Sequence, residues 1–267
     1  MGKKREKING RELFDQYYST LYQSRWDDIK KAFEKEKENV SLSERLKSPY
    51  YLDPASIIVS SMLPLCKKDK ILDMCAAPGG KTLSIALRMS EDSTLVANDR
   101  SAERRRRLRE SIEKLPDEIL GRVRVTGFDA SSWCLHEKEE YDKILLDAPC
   151  SSERHTYCDE KYLSIWSPNR PKRLKKEQYA LLSSAFITLK TGGMILYSTC
   201  SINKEENEDV ISRLFEKKDG LVEEIELENE YFEKRDHGYI ILPDKADGMG
   251  PLYCCLIRKK KNAAIDE

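Results

Sequence analysis

Apolar residues along this chain change rhythm near residue 50. Between residues 8 and 47, Phe14, Tyr17, Tyr18, Leu21, Trp26, Ile29 and Phe33 recur at spacings near three and four in a background rich in Lys and Glu. That periodicity predicts two or three helices with one apolar face, and the aromatic stripe is the expected packing face, not a platform for stacking bases. Ser48-Pro49 breaks the pattern, which places a boundary near residue 50 and divides the chain into a helical segment, 1–50, and a main domain, 51–262.

From about residue 70 short apolar strands alternate with helical stretches. The expected strands are ILDM (71–74), TLVAND (94–99), VRVTGFD (123–129), KILLDAP (143–149) and MILYSTC (194–200), with helices over 81–90, 101–115, 172–190 and 204–217. Continuously apolar strands separated by helices predict a parallel sheet covered on both faces. After residue 220, LVEEIEL, YIILP and LYCCLIR follow one another without helices, with GMGP at 248–251 as a turn, so an antiparallel edge is expected. The predicted fold class is α/β: a mostly parallel sheet with an antiparallel edge, preceded by a short helical segment.

Composition narrows the setting. The chain has 267 residues, 39% hydrophobic and 35% charged, as in a soluble globular protein. Its longest uncharged apolar stretch, PASIIVSSMLPLC at 54–66, is too short and interrupted to span a bilayer, and MGKKREKING is followed by no apolar signal region. Eight cysteines without a CxxC pair, beside only three histidines, predict neither a disulfide framework nor a metal site. Cys66, Cys75, Cys254 and Cys255 stand among apolar neighbours as free thiols do in a reducing compartment, so the cytoplasm is the expected location. Net charge is zero but unevenly spread: RSAERRRRLR (100–109), NRPKRLKK (169–176) and RKKK (258–261) are basic, while 219–233 holds seven acidic residues and no Lys or Arg. Such separation suits one anion-facing side, although four successive arginines on a helix point around most of its circumference.

Strand ends are where α/β sheets bind ligands. The first strand runs into DMCAAPGGKT (73–82), a tight turn whose glycines let backbone approach a ligand. The next three strands end in Asp99, Asp129 and Asp147, and a carboxylate at Asp99 can accept from both hydroxyls of a ribose. No GxGxxG is present, which argues against a nicotinamide dinucleotide. Gly80-Lys81-Thr82 matches the end of a nucleotide-triphosphate loop, but Cys75 stands where its first glycine belongs; an NTPase using Asp147 for magnesium stays open at this point. A cradle rich in carboxylates suits a cationic cofactor, and S-adenosylmethionine has a sulfonium and an ammonium.

The fourth and fifth strands run into thiols, Cys150 in APCSS just past Asp147 and Cys200 in STCSI. As neighbours they would lie about 4.8 Å apart and present both thiols over one rim. CAAPGGKT, DAPCSS and STCS together resemble the Nop/Sun family of RNA (cytosine-5) methyltransferases, over residues 49–260. SERH after the Pro-Cys pair, GPLYCC near the end and FDQYYSTLYQSRW at 14–26 are most similar to compact members without long RNA-binding extensions. Commoner members carry a glycine and a basic patch where Ser152-Glu153-Arg154-His155 stands here.

The resemblance implies a Rossmann-like, S-adenosylmethionine-dependent fold and formation of 5-methylcytosine in structured RNA, ribosomal first and transfer RNA second. By that likeness Cys200 attacks C6 of the base, making C5 nucleophilic, and Cys150 assists product release. Asp147 is placed to hold or protonate N3, and Lys81 is the cation expected to lower the thiol pKa. The family pattern carries over Cys75, Ala76, Ala77, Pro78, Gly79, Gly80 and Lys81 as the methionine-side loop. It assigns Asp99 to the ribose, Arg104 as its neighbour, Asp129 to the adenine and Asp147 to both cofactor and base. RNA would lie along a wall of Arg154, His155, Arg170, Lys172 and Arg173, with the N-terminal segment contributing packing and RNA contact, and Trp166 as either a stacking or an anchoring ring. A monomer is expected, with room for a protein that presents the RNA. The rival reading is a non-catalytic RNA-binding module on the same fold.

Overall fold

The computed structural model describes residues 9–261; residues 1–8, with much of the N-terminal basic run, and 262–267 lie outside it. Asn9 caps α1 (Gly10–Tyr22) by accepting the Arg11 amide, and a short 3-10 turn leads to α2 (Trp26–Glu34). Strands β1 (Val40–Ser41) and β2 (Tyr51–Leu52) then pair antiparallel. In α3 (Pro54–Ser61), Pro54 sits in the first turn and Asp53 accepts the Ala55 amide.

Alternation begins at β3 (Lys70–Asp73) and runs through α4 (Gly80–Ala86), β4 (Thr94–Asn98), α5 (Ala102–Ile112), α6 (Asp117–Leu120), β5 (Val123–Thr126) and β6 (Tyr141–Asp147). Next come α7 (Glu153–Cys158), α8 (Glu160–Ser164), the long α9 (Asn169–Thr188) and β7 (Leu189–Thr199). The described chain closes with α10 (Glu208–Lys217), β8 (Val222–Ile225), β9 (Glu233–Lys234), β10 (Tyr239–Ile241) and β11 (Leu252–Lys259).

Nine strands form one sheet in the order β5-β4-β3-β6-β7-β11-β10-β9, with β8 also beside β11. The strands from β5 to β7 are parallel; β11 runs antiparallel to β7 and opens the expected antiparallel edge. Successive side chains leave opposite faces, so each strand feeds two cores. Ile71, Leu95, Leu145 and Leu196 meet α3, α4 and α5; Leu72, Ile144, Leu146, Ile195 and Tyr197 meet α1, α2, α9 and α10. Strand order turns back between β3 and β6, which opens a crevice above their carboxyl ends.

Several boundaries differ from expectation: α4 stops at Ala86, not 90, α5 at Ile112, not 115, and β5 at Thr126, not 129. Strand β7 starts at Leu189, not 194, because Leu189 already pairs with Tyr141 of β6, and a register shift carries the ladder on to Met194 opposite Lys143. Residues 204–207 form turns, and α10 begins only at Glu208.

The aromatic stripe is a packing face. Phe14, Tyr18, Trp26, Ile29 and Phe33 are buried, while Leu21 lies off the face at 43% exposure. Trp166 is enclosed edge-on against Phe14 (5.2 Å) and Tyr17 (5.4 Å), so it is an anchor and offers no ring to a base. Tyr22 donates to the Ile202 carbonyl at 2.6 Å, and Arg25 grips Asp244 and Glu233. Among the described residues no helix is long and apolar enough to cross a membrane.

Candidate active site

Past Asp73 the chain turns through residues 74–79 into α4. Gly79 has φ +115°, and a Cβ there would meet Ser111 Cβ at 2.8 Å, so only glycine fits. Helix α5 pins the turn from the side: Arg104 donates to the Ala77 carbonyl (2.6 Å) and Ser111 to that of Pro78 (2.7 Å). Burial pushes the Asp73 carboxyl up to about 7, against the lowering effect of a 2.6 Å hydrogen bond from Thr82.

Asp99 lies just beyond β4. Its Oδ1 accepts the Ser101 amide at 2.9 Å; its Oδ2 is buried 3.3 Å from Arg104 without a hydrogen-bond partner. An enclosed carboxylate oxygen left open in this way fits a ligand hydroxyl, as a ribose would supply. Asp129 is exposed, and hydrogen bonds from the Ser131 hydroxyl and amide hold its carboxyl below the usual value. Phe128 and Leu181 add apolar walls to the pocket that Asp99, Asp129 and Cys75 line. This donor and wall set fits an adenosine-bearing cofactor.

Strands β6 and β7 are neighbours, with Asp147 opposite Ser198, and both thiols emerge beyond them. Cys150 Sγ lies 2.8 Å from Cys200 Sγ, and Ser152 Oγ approaches Cys200 at 3.0 Å. Donation from Cys150 pulls the Cys200 thiol below its usual pKa despite burial, and Ser152 helps. The same contact, burial and the charge on Cys200 drive Cys150 well above its usual value. Asp147 accepts Lys81 Nζ at 2.8 Å and Ser198 Oγ at 2.8 Å. Although burial pulls the Lys81 ammonium down, Asp147 outweighs it and holds the pKa above its ordinary value. A cavity of about 410 Å³ joins Lys81, Arg104, Asp147, Cys150 and Cys200 to Lys37 and Asp53.

Sequence reading placed most of these groups and misjudged some. Arg154 is no groove wall: its buried guanidinium donates to the carbonyls of Phe33, Lys35, Gly248 and Gly250. Lys81 is not the leading cause of the lowered Cys200 pKa; Cys150 and Ser152 are, because the ammonium is committed to Asp147. That commitment, with Asp73 and Asp147 lining the pocket at the loop, also removes support from the triphosphate reading. Cys66 is exposed rather than packed. In the arginine cluster Arg105 is spent on the Asp99 and Arg100 carbonyls, and Arg100 and Arg107 pair with Glu177 and Glu103. Of the remaining candidates, His155, Lys172 and Arg173 are exposed and Arg170 is half-buried.

Three site residues were missed. Asn98 donates to the Met74 and Phe128 carbonyls and accepts Thr126 Oγ1 and the Phe128 amide, so it ties three strand ends together. Asp53 caps α3 and also receives the Gly250 amide, closing one wall of the cavity. Ser152, two residues past Cys150, was not singled out as a partner for the thiols. The only sequence signal was position: Asn98 stands next to the strand-end Asp99 and Asp53 before Pro54.

A crevice at the switch point, with a glycine turn, carboxylates at successive strand ends and an edge strand returning antiparallel, defines a Rossmann-like methyltransferase fold. Residues 60–257 match the family described as 16S rRNA methyltransferase RsmB/F, and the chain belongs to that family. It is 33% identical over 225 residues to the bovine (Bos taurus) 5-cytosine rRNA methyltransferase NSUN4, covering 77% of this chain and 58% of the relative. It is 38% identical over 177 residues to the ribosomal RNA small subunit methyltransferase F of Shigella dysenteriae, covering 64% of this chain and 36% of that protein. The chain thus spans little more than half of one relative and about a third of the other. Among solved structures it is similar to NSun6 from Pyrococcus horikoshii, determined with SFG: TM-score 0.65, 27% identity, 82% of this chain and 55% of that one.

Proposed function

We propose that this protein is an S-adenosylmethionine-dependent methyltransferase that forms 5-methylcytosine in structured RNA, ribosomal RNA in the first place. The observation that carries the reading is the pair of thiols 2.8 Å apart over the rim of β6 and β7, one lowered and one raised in pKa, with Asp147 on the same cavity wall. Relatives named as rRNA methyltransferases, one of them a 5-cytosine enzyme, support it.

In this reading Asp99 Oδ2 takes the ribose hydroxyls, Phe128, Asp129 and Leu181 flank the adenine, and the Cys75–Lys81 loop holds the methionine end. S-adenosylmethionine, when bound, supplies a methyl group made electrophilic by its sulfonium. Cys200 adds to C6 of the cytosine, which raises electron density at C5. Asp147, fixed by Lys81 and Ser198, holds the N3 edge as charge develops there. Once C5 is methylated, loss of its proton to water re-forms the C5–C6 double bond and breaks the C6–S bond, releasing Cys200 as thiolate; Cys150, which keeps its proton in the resting pair, assists that release. Pro149 ends the strand and leaves the rim open to the base.

A second groove of about 520 Å³ shares Cys150 with the cavity and is walled by Ile165, Arg170, Arg173 and Leu174. It suits the RNA flanking a splayed-out cytosine, with the exposed His155 and Lys172 as further candidate contacts. The helical segment before residue 50 serves packing there, and Lys37 brings a charge from it to the cavity wall. A partner protein that presents the RNA is compatible with this arrangement.

The test is tritiated-methyl transfer to ribosomal and transfer RNA, with bisulfite sequencing of RNA from cells with and without the protein. A cytosine that loses protection in its absence is the expected result. Cofactor binding without transfer to any RNA would favour a non-catalytic module instead.

A further inference from the structure

Behind the thiol rim lies a polar cluster that the methyl-transfer chemistry leaves unused. Glu153 opens α7 and Glu206 lies in the turns before α10; both carboxylates are fully enclosed. The Ser151 hydroxyl makes close contacts with Oε1 of each. Glu153 Oε1 also accepts Tyr18 OH (2.6 Å) and Ser201 Oγ (3.1 Å), and its Oε2 accepts the Ile202 amide. Glu206 Oε2 accepts the Ser151 amide (3.0 Å) and Gln178 Nε2 (2.9 Å). Neither carboxylate forms an ion pair among the described residues.

Counting hydrogens restricts the charge state. Ser151 has one hydroxyl proton and two carboxylate oxygens pressed against it, so one contact is repulsive unless a carboxyl brings its own proton. Ser201 cannot fill the gap, because it faces Glu153 and Ser151 and not Glu206. Glu206 Oε1 has no other partner, whereas Glu153 already receives two hydroxyls and an amide. The consistent chain runs from Glu206 as acid to Ser151, and from Ser151 to Glu153 as carboxylate. Two carboxylates this close without a cation resist ionising together.

We propose that Glu153 and Glu206 hold one proton between them through Ser151, and that this pair is a positioning device for Cys150 and Cys200. Ser151 follows one thiol and Ser201 follows the other, so the bridge locks both thiol-bearing turns in register. One shared proton keeps a single negative charge behind Cys200, where a second would oppose its thiolate. The groups facing the pair are Tyr17, Tyr18 and Tyr22 of α1, Tyr197 of β7 and the two thiols, none of them cationic. Burial, then the charge of Glu153, push Glu206 up to about 8, which agrees with the hydrogen count. Its role for the thiols rests on the proposed methyl transfer; the shared proton does not.

The experiment compares wild type with Glu206→Gln, Glu206→Ala and Glu153→Gln. Infrared difference spectra of wild type against Glu206→Gln at neutral pH, without RNA, should contain the carbonyl stretch of a protonated carboxylic acid. The folded state holds a proton that the unfolded chain has released, so wild-type stability falls between about pH 4.5 and 8, and Glu206→Gln should fall less steeply. In methyl transfer, Glu206→Gln should rescue what Glu206→Ala loses, about tenfold or more, because an amide N–H can donate where the acid O–H did. Its rate should also hold up on the alkaline side, where wild type declines. Glu153→Gln should be as damaging as Glu206→Ala, since an amide there meets hydroxyl donors. No acid signal, or an unchanged stability slope in Glu206→Gln, overturns the shared proton; a Glu206→Gln as impaired as Glu206→Ala overturns the positioning role. A chain inactive on every RNA overturns the methyltransferase reading, while the infrared and stability arms still decide the proton.

Discussion

Cys150 and Cys200 carry the same side chain, yet their surroundings ask different things of them. Cys200 accepts from Cys150 and lies beside Ser152, so its thiolate is the favoured anion of the pair. Cys150 keeps its proton for the same reason. In the proposed reaction Cys200→Ala abolishes both methyl transfer and any covalent RNA adduct, with cofactor affinity changed by no more than about twofold. Cys150→Ala should instead leave a protein–RNA band that survives a denaturing gel. A Cys200→Ala protein that still forms the band would reverse the two roles. Asp99→Asn tests the other half of the site: with the open carboxylate oxygen replaced, cofactor affinity by calorimetry should fall about tenfold, the loss of a charge-assisted hydrogen bond. These residues were legible in the sequence because each stands at the end of an apolar strand, where the geometry of parallel sheets gathers side chains. Glu153 and Glu206 were not: acidic residues 53 positions apart, each in a charged stretch, give no sign that folding will press them against one serine.

At the scale of elements, the site is held by connections rather than by the sheet alone. Helix α7 is too short to be stable by itself, but its first turn brings Arg154 to carbonyls from two remote segments, the end of α2 and the 248–250 turn. A surface-looking charge in a polar stretch thus turned out to be internal, because the groups it satisfies lie about 95 to 120 residues away and only tertiary structure delivers them. Removing it leaves four backbone acceptors enclosed with fewer donors. Arg154→Ala should therefore lower stability by about 3 kcal/mol in chemical denaturation, with cofactor and RNA contacts untouched in the fraction that folds. Arg154→Lys should recover only part of it, since a point charge cannot reach carbonyls spread around a planar fork. If Arg154→Ala is as stable as wild type but binds RNA weakly, the groove-wall reading returns. Strand limits follow the same lesson. The strands and their parallel sense were readable from apolar runs, whereas the start of β7 was hidden because Leu189 is cut off from Met194 by the non-apolar stretch 190–193, bridged only by a register shift against β6.

For the molecule as a whole, zero net charge conceals an uneven distribution of free cations. The arginines that dominate 100–109 are largely neutralised by Asp99, Glu103, Glu110 and Glu177 or spent on backbone carbonyls, so the densest basic run in the sequence is not the strongest anion attractor. Lys175 is likewise paired, with Asp209. Arg170 and Arg173, by contrast, enter no ion pair among the described residues and face the groove that shares Cys150 with the reaction cavity. Phosphates approaching a splayed-out cytosine from that side would meet these two before any other pair. The double variant Arg170→Ala/Arg173→Ala should weaken binding of structured RNA and make it less sensitive to salt. The slope of log affinity against log salt should flatten by about 0.7 to 0.9 for each phosphate that is no longer neutralised. Cofactor affinity should not change, because neither arginine lines the pockets formed by Asp99, Phe128 and the Cys75–Lys81 loop. Equal loss on removing Arg106 and Arg107, or an unchanged salt slope in the Arg170/Arg173 variant, would move the RNA path to the α5 face and away from the groove.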